Sequence, residues 1–149
     1  MVNVIQKGSV RSINISLKKG VKKTPVESAE IVSEGIRTDA HAGDWHRQIS
    51  FLADESADRM RQIAPGINPG DFAENITTRG IDFTRVRIGQ KIMINDKVSL
   101  EITQIGKECH NGCEIKQQVG YCVMPTEGIF AKVITGGGIK TGDEVVIYE

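Results

Sequence analysis

An alternation of apolar and polar residues between positions 91 and 105 constrains the fold more than any other feature of the sequence. Such alternation has the period of a β-strand with one buried face, and it continues on both sides of an Asn95-Asp96 pair that can adopt the positive φ of a tight turn. The segment is therefore predicted to be a β-hairpin. The apolar positions are Ile92, Ile94, Val98, Leu100 and Ile102.

A second local pattern occurs twice, and each copy places a turn glycine just before a predicted strand. The sequence is V-R-I-G-Q-K-I at 86–92 and I-K-T-G-D-E-V at 139–145. The strands of a small closed barrel must bend where they begin, and glycine tolerates the dihedral angles that such a corner requires. The chain also has 16 glycines and only 5% aromatic residues, which favours many short strands joined by tight turns. The predicted fold class is mainly β, a small closed or partly open β-barrel with one or two short helices.

Six further segments are predicted to be strands, the first of them bent near Arg11. One helix is predicted over 54–64, because apolar residues recur there at helical spacing, Asp54 can cap its start and Glu55 suits the positive end of its dipole. Pro65-Gly66 would end that helix, and 64–72 is predicted to be a surface loop. The predicted strands are 4–17, 30–32, 49–52, 75–78, 129–134 and 144–148.

Length and charge limit the classes of function. A chain of 149 residues can bury roughly 70% of its unfolded surface, so a single domain over 1–149 needs no disulfide or structural metal. The 19 basic and 19 acidic residues cancel, which argues against nucleic-acid and membrane partners, because both need a net basic field. The chain shows neither a run of about 18 apolar residues nor a signal-peptide pattern, so a cytoplasmic location is expected. The basic segment K-K-G-V-K-K at 18–23 is either a solvated turn or the guard of an anion site.

The three cysteines, at 109, 113 and 122, are clustered in a way that does not suggest a disulfide framework. Cys109 has Lys107 and His110 as neighbours, and positive charge lowers the pKa of a thiol and so favours the nucleophilic thiolate. Cys109 is therefore a candidate persulfide carrier or soft-metal ligand. The alternatives are cysteines that only pack in the core, a zinc site that would lack a second ligand pair, and a redox dithiol without the usual C-x-x-C spacing.

Two more segments concentrate polar side chains. The ten residues D-A-H-A-G-D-W-H-R-Q at 39–48 contain two histidines, two carboxylates, an arginine and the one tryptophan of the chain. His41 and His46 could bind an oxyanion or transfer protons, with Asp44 orienting one of them, unless these groups only satisfy one another. At 70–78, Glu74 and Asn75 stand where a strand begins, which suits a binding role and a structural turn equally.

Taken together, three motifs in order resemble the MOSC domain, the C-terminal domain of molybdenum cofactor sulfurase. They are A-H-A-G-D-W-H at 40–46, G-D-F-A-E-N-I-T-T-R-G-I-D at 70–82 and G-K-E-C-H-N-G-C at 106–113, followed by V-M-P-T-E-G-I-F-A-K-V at 123–133. The resemblance covers nearly the whole chain and is strongest to short, stand-alone bacterial members of that family.

The resemblance implies a β-barrel-type fold, an essential cysteine and a role in handling the molybdenum cofactor or in transferring sulfur. Cys109 best matches the family cysteine and would carry a persulfide or bind molybdenum through its thiolate. Cys113 lies close by in the sequence, so it is the alternative functional thiol or a resolving one. Pyridoxal phosphate is not expected, because the domain that binds it in related sulfurases is missing from these 149 residues.

Three functions follow from that resemblance: sulfur transfer to the cofactor, non-catalytic binding and delivery of the cofactor, and molybdenum-dependent reduction of N-hydroxylated compounds with electron-transfer partners. The expected partners are the cofactor or another sulfur acceptor, and a cysteine desulfurase or a molybdoenzyme. Basic side chains would hold the phosphate of the cofactor. The residues expected to line its site are Arg11, His41, Asp44, His46, Arg47, Glu74, Asn75 and Lys107.

Overall fold

The computed structural model describes residues 3–19, 21–106 and 127–149, and this part of the chain is mainly β, as predicted. It contains one α-helix, α1 (Asp54–Arg61), and a 3-10 turn at Phe83–Arg85. Within these ranges no helix has the length and apolar character of a membrane span. The strands are β1 (Val4–Ile15), β2 (Thr24–Val26), β3 (Ser28–Val32), β4 (Gly35–Ile36), β5 (Ile49–Ala53), β6 (Ile76–Arg79), β7 (Lys91–Ile94), β8 (Val98–Ile105), β9 (Ile129–Thr135), β10 (Gly137–Lys140) and β11 (Glu144–Tyr148).

Seven of these strands form a closed β-barrel. Their order around the barrel is β11-β7-β8-β9-β5-β6-β1, and β1 pairs with β11 to close it. The β5–β6 pair is parallel, because the chain crosses over through α1 between the two strands, and the other pairs are antiparallel. β2 extends the barrel sheet from β1, and β10, β3 and β4 form a second, three-stranded sheet.

The local patterns that predicted the barrel are present. β7 and β8 form the expected hairpin, and Asn95 and Asp96 have φ of 51° and 63° in its turn. Gly89 and Gly142, with φ of 98° and 93°, precede β7 and β11, which lie side by side in the barrel. The register of β1 against β6 shifts across Arg11, and this bulge is the predicted bend.

The start of the helix was predicted wrongly. Ala53 occupies the N-cap position of α1 without a side-chain hydrogen bond, and Asp54 is the first helical residue. The Asp54 carboxylate is buried and instead accepts hydrogen bonds from Arg61, at 2.7 Å, and from Arg79. Asp54 therefore links Arg61, at the C-terminal end of the helix, to Arg79 of β6. It forms these ion pairs with residues further along the sequence in place of the expected local cap.

The core has two parts. The larger one fills the barrel, and the smaller one lies between the barrel wall and α1. Ile67 and Phe72 are buried in the smaller part, so the predicted surface loop at 64–72 also covers a core. Ile67 and Phe72 belong to one cluster of buried side chains with Leu52, Ala57, Met60, Ala73 and Phe130.

Candidate functional site

The cysteine-bearing segment connects two adjacent barrel strands. Lys107, Cys109 and Cys113 lie outside the described residues, but both ends of their segment are described. The backbone N–H of Gly106, just after β8, donates to the carbonyl of Gly128, just before β9, at 2.7 Å. The chain therefore leaves the barrel and returns to it at one place on the rim.

The histidine-rich segment at 39–48 is attached to the same place. The Nε2 atom of His46 lies 2.8 Å from the Oε1 atom of Gln104, and the Gln104 amide nitrogen donates to the carbonyl of Gly106 at 2.8 Å. The Thr103 hydroxyl donates to the carbonyl of His46. The fold thus brings His46 to the point where the cysteine-bearing segment begins, 60 residues further along the sequence.

Trp45 is the centre of a group of cations and rings beside this point. Lys19 Nζ and the guanidinium carbon of Arg47 each lie 4.6 Å from a Trp45 ring centroid, a distance at which a cation is attracted to the face of the ring. Arg47 also lies 5.6 Å from the Phe130 ring. The Trp45 ring is parallel to that of His41 to within 3°, with centroids 6.2 Å apart. We call this group the basic–aromatic cluster; its members are Lys19, His41, Trp45, His46, Arg47 and Phe130.

Arg47 is the most informative member of the cluster. Its Nε atom is buried and has no hydrogen-bond partner among the described residues. Of the described arginines, only Arg47 and Arg85 form no ion pair with a carboxylate of the described part of the chain. Buried donors are normally satisfied, and a guanidinium is suited to paired hydrogen bonds with phosphate or carboxylate. Within the described part of the chain, the Arg47 guanidinium is therefore left without an anionic partner.

A buried ion pair of Lys23 and Asp39 contacts the backbone of the basic–aromatic cluster at His41. Lys23 Nζ lies 2.8 Å from Asp39 Oδ1, and the two side chains are 1% and 0% exposed. The other carboxylate oxygen of Asp39 accepts the backbone N–H of His41 at 2.9 Å. Burial by itself would raise the pKa of Asp39, but the hydrogen bond and the charge of Lys23, together with hydrogen bonds from the His41 backbone and the Asn75 side chain, lower the pKa below its ordinary value.

This pair bears on two of the expectations from sequence. The carboxylate that contacts His41 is Asp39, with Oδ2 4.0 Å from His41 Nδ1; Asp44 is exposed, and its expected role in orienting a histidine stays a prediction. Lys18, Lys19 and Lys22 are exposed as a solvated turn would have them, but Lys23 is buried. Because its partner stands 16 residues away in the sequence, no local pattern marks this lysine as buried.

Glu74 and Asn75 are also buried, on the inner side of the segment that enters β6. Asn75 Oδ1 accepts the backbone N–H of Ser50 at 3.0 Å, and Asn75 Nδ2 donates to the carbonyl of Asn14 at 3.2 Å. These bonds join β1, β5 and β6. The recorded contacts of Asn75 are structural, and its role in cofactor binding stays a prediction.

The Glu74 carboxylate ties together the turn that precedes β6. Its Oε2 atom accepts the Thr77 hydroxyl at 2.7 Å and the backbone N–H of Gly70 at 3.1 Å. Burial raises the pKa of Glu74, and these neutral donors offset that rise only in part. A role for Glu74 in cofactor binding likewise stays a prediction.

Arg11 belongs to a different group of charges. Its Nε atom lies 3.9 Å from Asp54, the carboxylate that also pairs with Arg61 and Arg79 beside the helix. Its expected contact with the cofactor stays a prediction, since its recorded ion pair is with this helix-side group. Conversely, Gln104 and Phe130 belong to the site and had not been expected there, because each occupies an ordinary strand position without a local motif.

The described residues do not form a metal site by themselves. Among residues 3–19, 21–106 and 127–149, no three histidine, cysteine, aspartate or glutamate side chains are grouped so as to hold a metal ion. The proposed metal ligand, Cys109, lies outside these ranges. The described part of the site is basic and aromatic, with Lys19 and Arg47 on the Trp45 ring, which suits the anionic part of a ligand.

Comparison with known proteins identifies the class. The model of the MOSC domain matches residues 38–146, and this chain belongs to the MOSC domain family. A comparison with curated protein sequences found no match.

Solved structures share the fold at low sequence identity. YuaD from Bacillus subtilis superposes with a TM-score of 0.83 at 19% identity, over 100% of this chain and 99% of that one. YiiM from Escherichia coli superposes with a TM-score of 0.71 at 14% identity, over 96% and 70%. YiiM from Geobacillus stearothermophilus superposes with a TM-score of 0.73 at 19% identity, over 95% and 75%. The similarity to YuaD extends over the whole barrel, including the strands before residue 38.

Proposed function

We propose that this protein handles the molybdenum cofactor in the cytoplasm, with the basic–aromatic cluster holding the phosphate of the pterin and the Cys109 thiol carrying sulfur or binding molybdenum. The observation that carries the proposal is Arg47, a half-buried guanidinium whose Nε has no hydrogen-bond partner among the described residues; it follows His46, which lies where the cysteine-bearing segment begins. Membership of the MOSC family supports the choice of ligand.

The residues present suit a phosphate-bearing ligand. A guanidinium can donate two parallel hydrogen bonds to phosphate, and Lys19 adds a second positive charge on the same ring as Arg47. Trp45 presents an aromatic face, and His46 is an exposed donor or acceptor at the rim. When bound, the cofactor supplies a molybdenum centre with sulfur ligands, and a thiolate is a soft donor suited to it.

The role of Cys109 in sulfur transfer is a single exchange. Its thiolate attacks the outer sulfur of a persulfide on a donor protein such as a cysteine desulfurase, forms a new S–S bond and releases the donor thiolate. The persulfide on Cys109 is then available to the cofactor or to a molybdoenzyme. Cys113 is the alternative thiol, and it is also placed in sequence to resolve a persulfide on Cys109.

The decisive experiment compares the wild-type protein with Cys109→Ser and Cys113→Ser, each purified without oxygen from a host that makes the cofactor. Molybdenum, pterin and protein-bound persulfide are measured per chain. Cys109→Ser is expected to lose persulfide and molybdenum, whereas Cys113→Ser keeps them. The reverse result assigns the role to Cys113, and a wild-type protein with neither cofactor nor persulfide contradicts the proposal. Full retention of cofactor by Cys109→Ser favours a delivery protein that does not use the thiol.

The phosphate site is tested by Arg47→Met, which keeps much of the apolar stem against Trp45 but removes the donors. We expect the cofactor content to fall about tenfold, since a charge-assisted hydrogen bond contributes about 1.5–3 kcal/mol. Arg85→Met is the matched control, because Arg85 also forms no ion pair with the described carboxylates but is exposed at the end of the 3-10 turn. Equal cofactor content in the two variants would show that Arg47 does not bind the ligand.

A further inference from the structure

The loop that bears Lys19 has both of its ends on one carboxylate. Ser16, at the end of β1, donates its backbone N–H to Asp39 Oδ1 at 3.0 Å, and Lys23, just before β2, donates to the same oxygen at 2.8 Å. The Lys23 ammonium also donates to the Ser16 hydroxyl at 3.0 Å. The chain therefore leaves and returns to a single point between Ser16 and Lys23.

Asp39 and Ser16 also bind the backbone at the start of the histidine-rich segment. Asp39 Oδ2 accepts the backbone N–H of His41, and the backbone N–H of Ala40 donates to the carbonyl of Ser16 at 2.8 Å. The base of the lysine loop and the base of the Trp45 segment are thus fixed to each other through Asp39. A buried, hydrogen-bonded ion pair has one geometry, which makes it a suitable anchor for exposed side chains above it.

Lys19 and Arg47 occupy positions on the Trp45 ring that they would not keep without support from the rest of the fold. Lys19 is exposed and Arg47 is half-buried, yet both cations lie 4.6 Å from the Trp45 ring. Two like charges near one ring repel each other, and a free lysine chain would move into water instead. An arrangement already assembled before an anion arrives binds it with a smaller loss of conformational entropy.

We propose that Lys23 and Asp39 are positioning residues that hold Lys19 on Trp45 beside Arg47 and thereby set the affinity of the cluster for a phosphate group. Neither side chain can touch the ligand, because both are buried. This inference rests on the proposed function, since it takes the basic–aromatic cluster to be the place where the phosphate of the ligand binds.

The test measures binding of inorganic phosphate to the purified protein at constant ionic strength, followed by the fluorescence of Trp45, the one tryptophan of the chain. Four proteins are compared: wild type, Lys19→Ala, the neutral pair variant Lys23→Met/Asp39→Asn, and the combination of all three substitutions. The pair variant removes both buried charges together and so avoids leaving one unpaired.

Lys19→Ala is expected to weaken phosphate binding roughly threefold to tenfold, as for the loss of one charge-assisted contact. The pair variant is expected to weaken it by a similar factor although Lys19 is still present. The combined variant should bind no more weakly than Lys19→Ala, because residues that act through Lys19 have no further effect once Lys19 is gone. If Lys23 and Asp39 had a purely structural role, the pair substitution would weaken phosphate binding by the same factor with Lys19 present and with Lys19→Ala.

Three results would overturn the inference: wild-type binding by the pair variant, additive losses in the combined variant, and no phosphate binding by the wild type. If thermal unfolding shows that the pair variant does not fold, Ser16→Ala replaces it, since this change removes only the hydroxyl that joins Lys23 to the Lys18 carbonyl. Ser16→Ala should then weaken binding only when Lys19 is present. Phosphate binding needs neither Cys109 nor molybdenum, so its failure is distinct from a failure of the cysteine experiment.

Discussion

Two buried acids, Asp39 and Glu74, have pKa values shifted in opposite directions, and the charge of the partner decides the direction. Burial disfavours both carboxylates, but Asp39 accepts a hydrogen bond from the ammonium of Lys23 and its pKa is lowered. Glu74 accepts only neutral donors from Thr77 and Gly70, and its pKa is raised. The two acids therefore contribute oppositely to the pH dependence of stability.

The first prediction concerns the buried ion pair. Lys23→Met leaves the Asp39 carboxylate buried without its counter-charge and should lower the free energy of unfolding by about 3–5 kcal/mol. Lys23→Met/Asp39→Asn should recover part of that loss, because no charge is left unpaired, although the amide keeps only one of the two oxygens that accept the backbone N–H groups of Ser16 and His41. The wild-type contribution of Asp39 is present above its unfolded-state pKa and is lost as the pH falls through its lowered folded-state pKa. Urea unfolding measures the free energy of unfolding of the wild type, the single variant and the double variant.

An exposed ion pair provides the control for this experiment. Arg37 and Glu30 lie 3.7 Å apart, with both side chains largely exposed, so Arg37→Met should cost less than about 1 kcal/mol. If Lys23→Met costs no more than Arg37→Met, the buried pair does not stabilise the fold.

The second prediction concerns Glu74. A raised pKa means that the folded state prefers the protonated acid, so wild-type stability falls as the pH rises from the unfolded-state pKa to the raised folded-state pKa. Glu74→Gln removes this fall. The variant should therefore gain stability relative to wild type over that interval, and the difference should be constant above it. Any cost of the amide itself is independent of pH and shifts the whole curve equally.

Urea unfolding at a series of pH values from 4 to 8 tests the Glu74 prediction, with Glu144→Gln as a control that removes one exposed carboxylate. A constant difference between Glu74→Gln and wild type at every pH would contradict it.

At the scale of single elements, local chemistry was sufficient for most of the strands and insufficient for the ends of the helix; the short strands β2, β4 and β10 were not predicted. The β7–β8 hairpin follows from alternation and from two residues able to take positive φ, both of which are local properties. The helix was expected to extend to Ala64, but the backbone N–H groups of Ile63 and Ala64 both donate to the carbonyl of Met60 and α1 ends at Arg61. Asp54, at its start, forms an ion pair with Arg79 of β6, a contact that no local pattern contains.

The third prediction concerns the corner before β11. Gly142 has φ of 93°, and a Cβ added there would have open space around it. Gly142→Ala should therefore lower the free energy of unfolding by about 1–2 kcal/mol through backbone strain and not through a clash. Gly66→Ala is the matched control, because its added Cβ also meets open space but without a positive φ; it should change stability by about 0.5 kcal/mol or less. Equal effects of the two variants, measured by urea unfolding, would exclude backbone strain as the cause.

For the whole molecule, β11 is the element that closes the barrel, because it pairs with both β1 and β7. β1 and β11 lie near opposite ends of the chain, and β7 lies about 50 residues before β11. Closure therefore depends on contacts between residues far apart in the sequence. The β-branched residues Val145, Val146 and Ile147 predicted a strand at 144–148. They did not predict which strands would lie beside it.

The fourth prediction tests the closure. Ile147 is fully buried in the barrel core, and Ile147→Ala should cost about 2–5 kcal/mol of unfolding free energy, because it removes buried methyl groups and leaves a cavity. Val146, on the other face of the same strand, is half-buried, and Val146→Ala should cost about 1 kcal/mol or less. Thermal or urea unfolding compares the two. Similar losses would mean that the inner face of β11 does not carry the closure.

The sequence by itself determined the mainly β fold class, most of the strands, the bend at Arg11 and the residue types of the site, because alternation, turn dihedrals and the chemistry of side chains are local. Only the tertiary structure decided that the barrel is closed, that His46 lies where the cysteine-bearing segment begins, and that Lys23 is buried against Asp39. These are contacts between residues far apart in sequence. Their formation depends on the packing of the whole barrel, and short-range patterns carry no information about it.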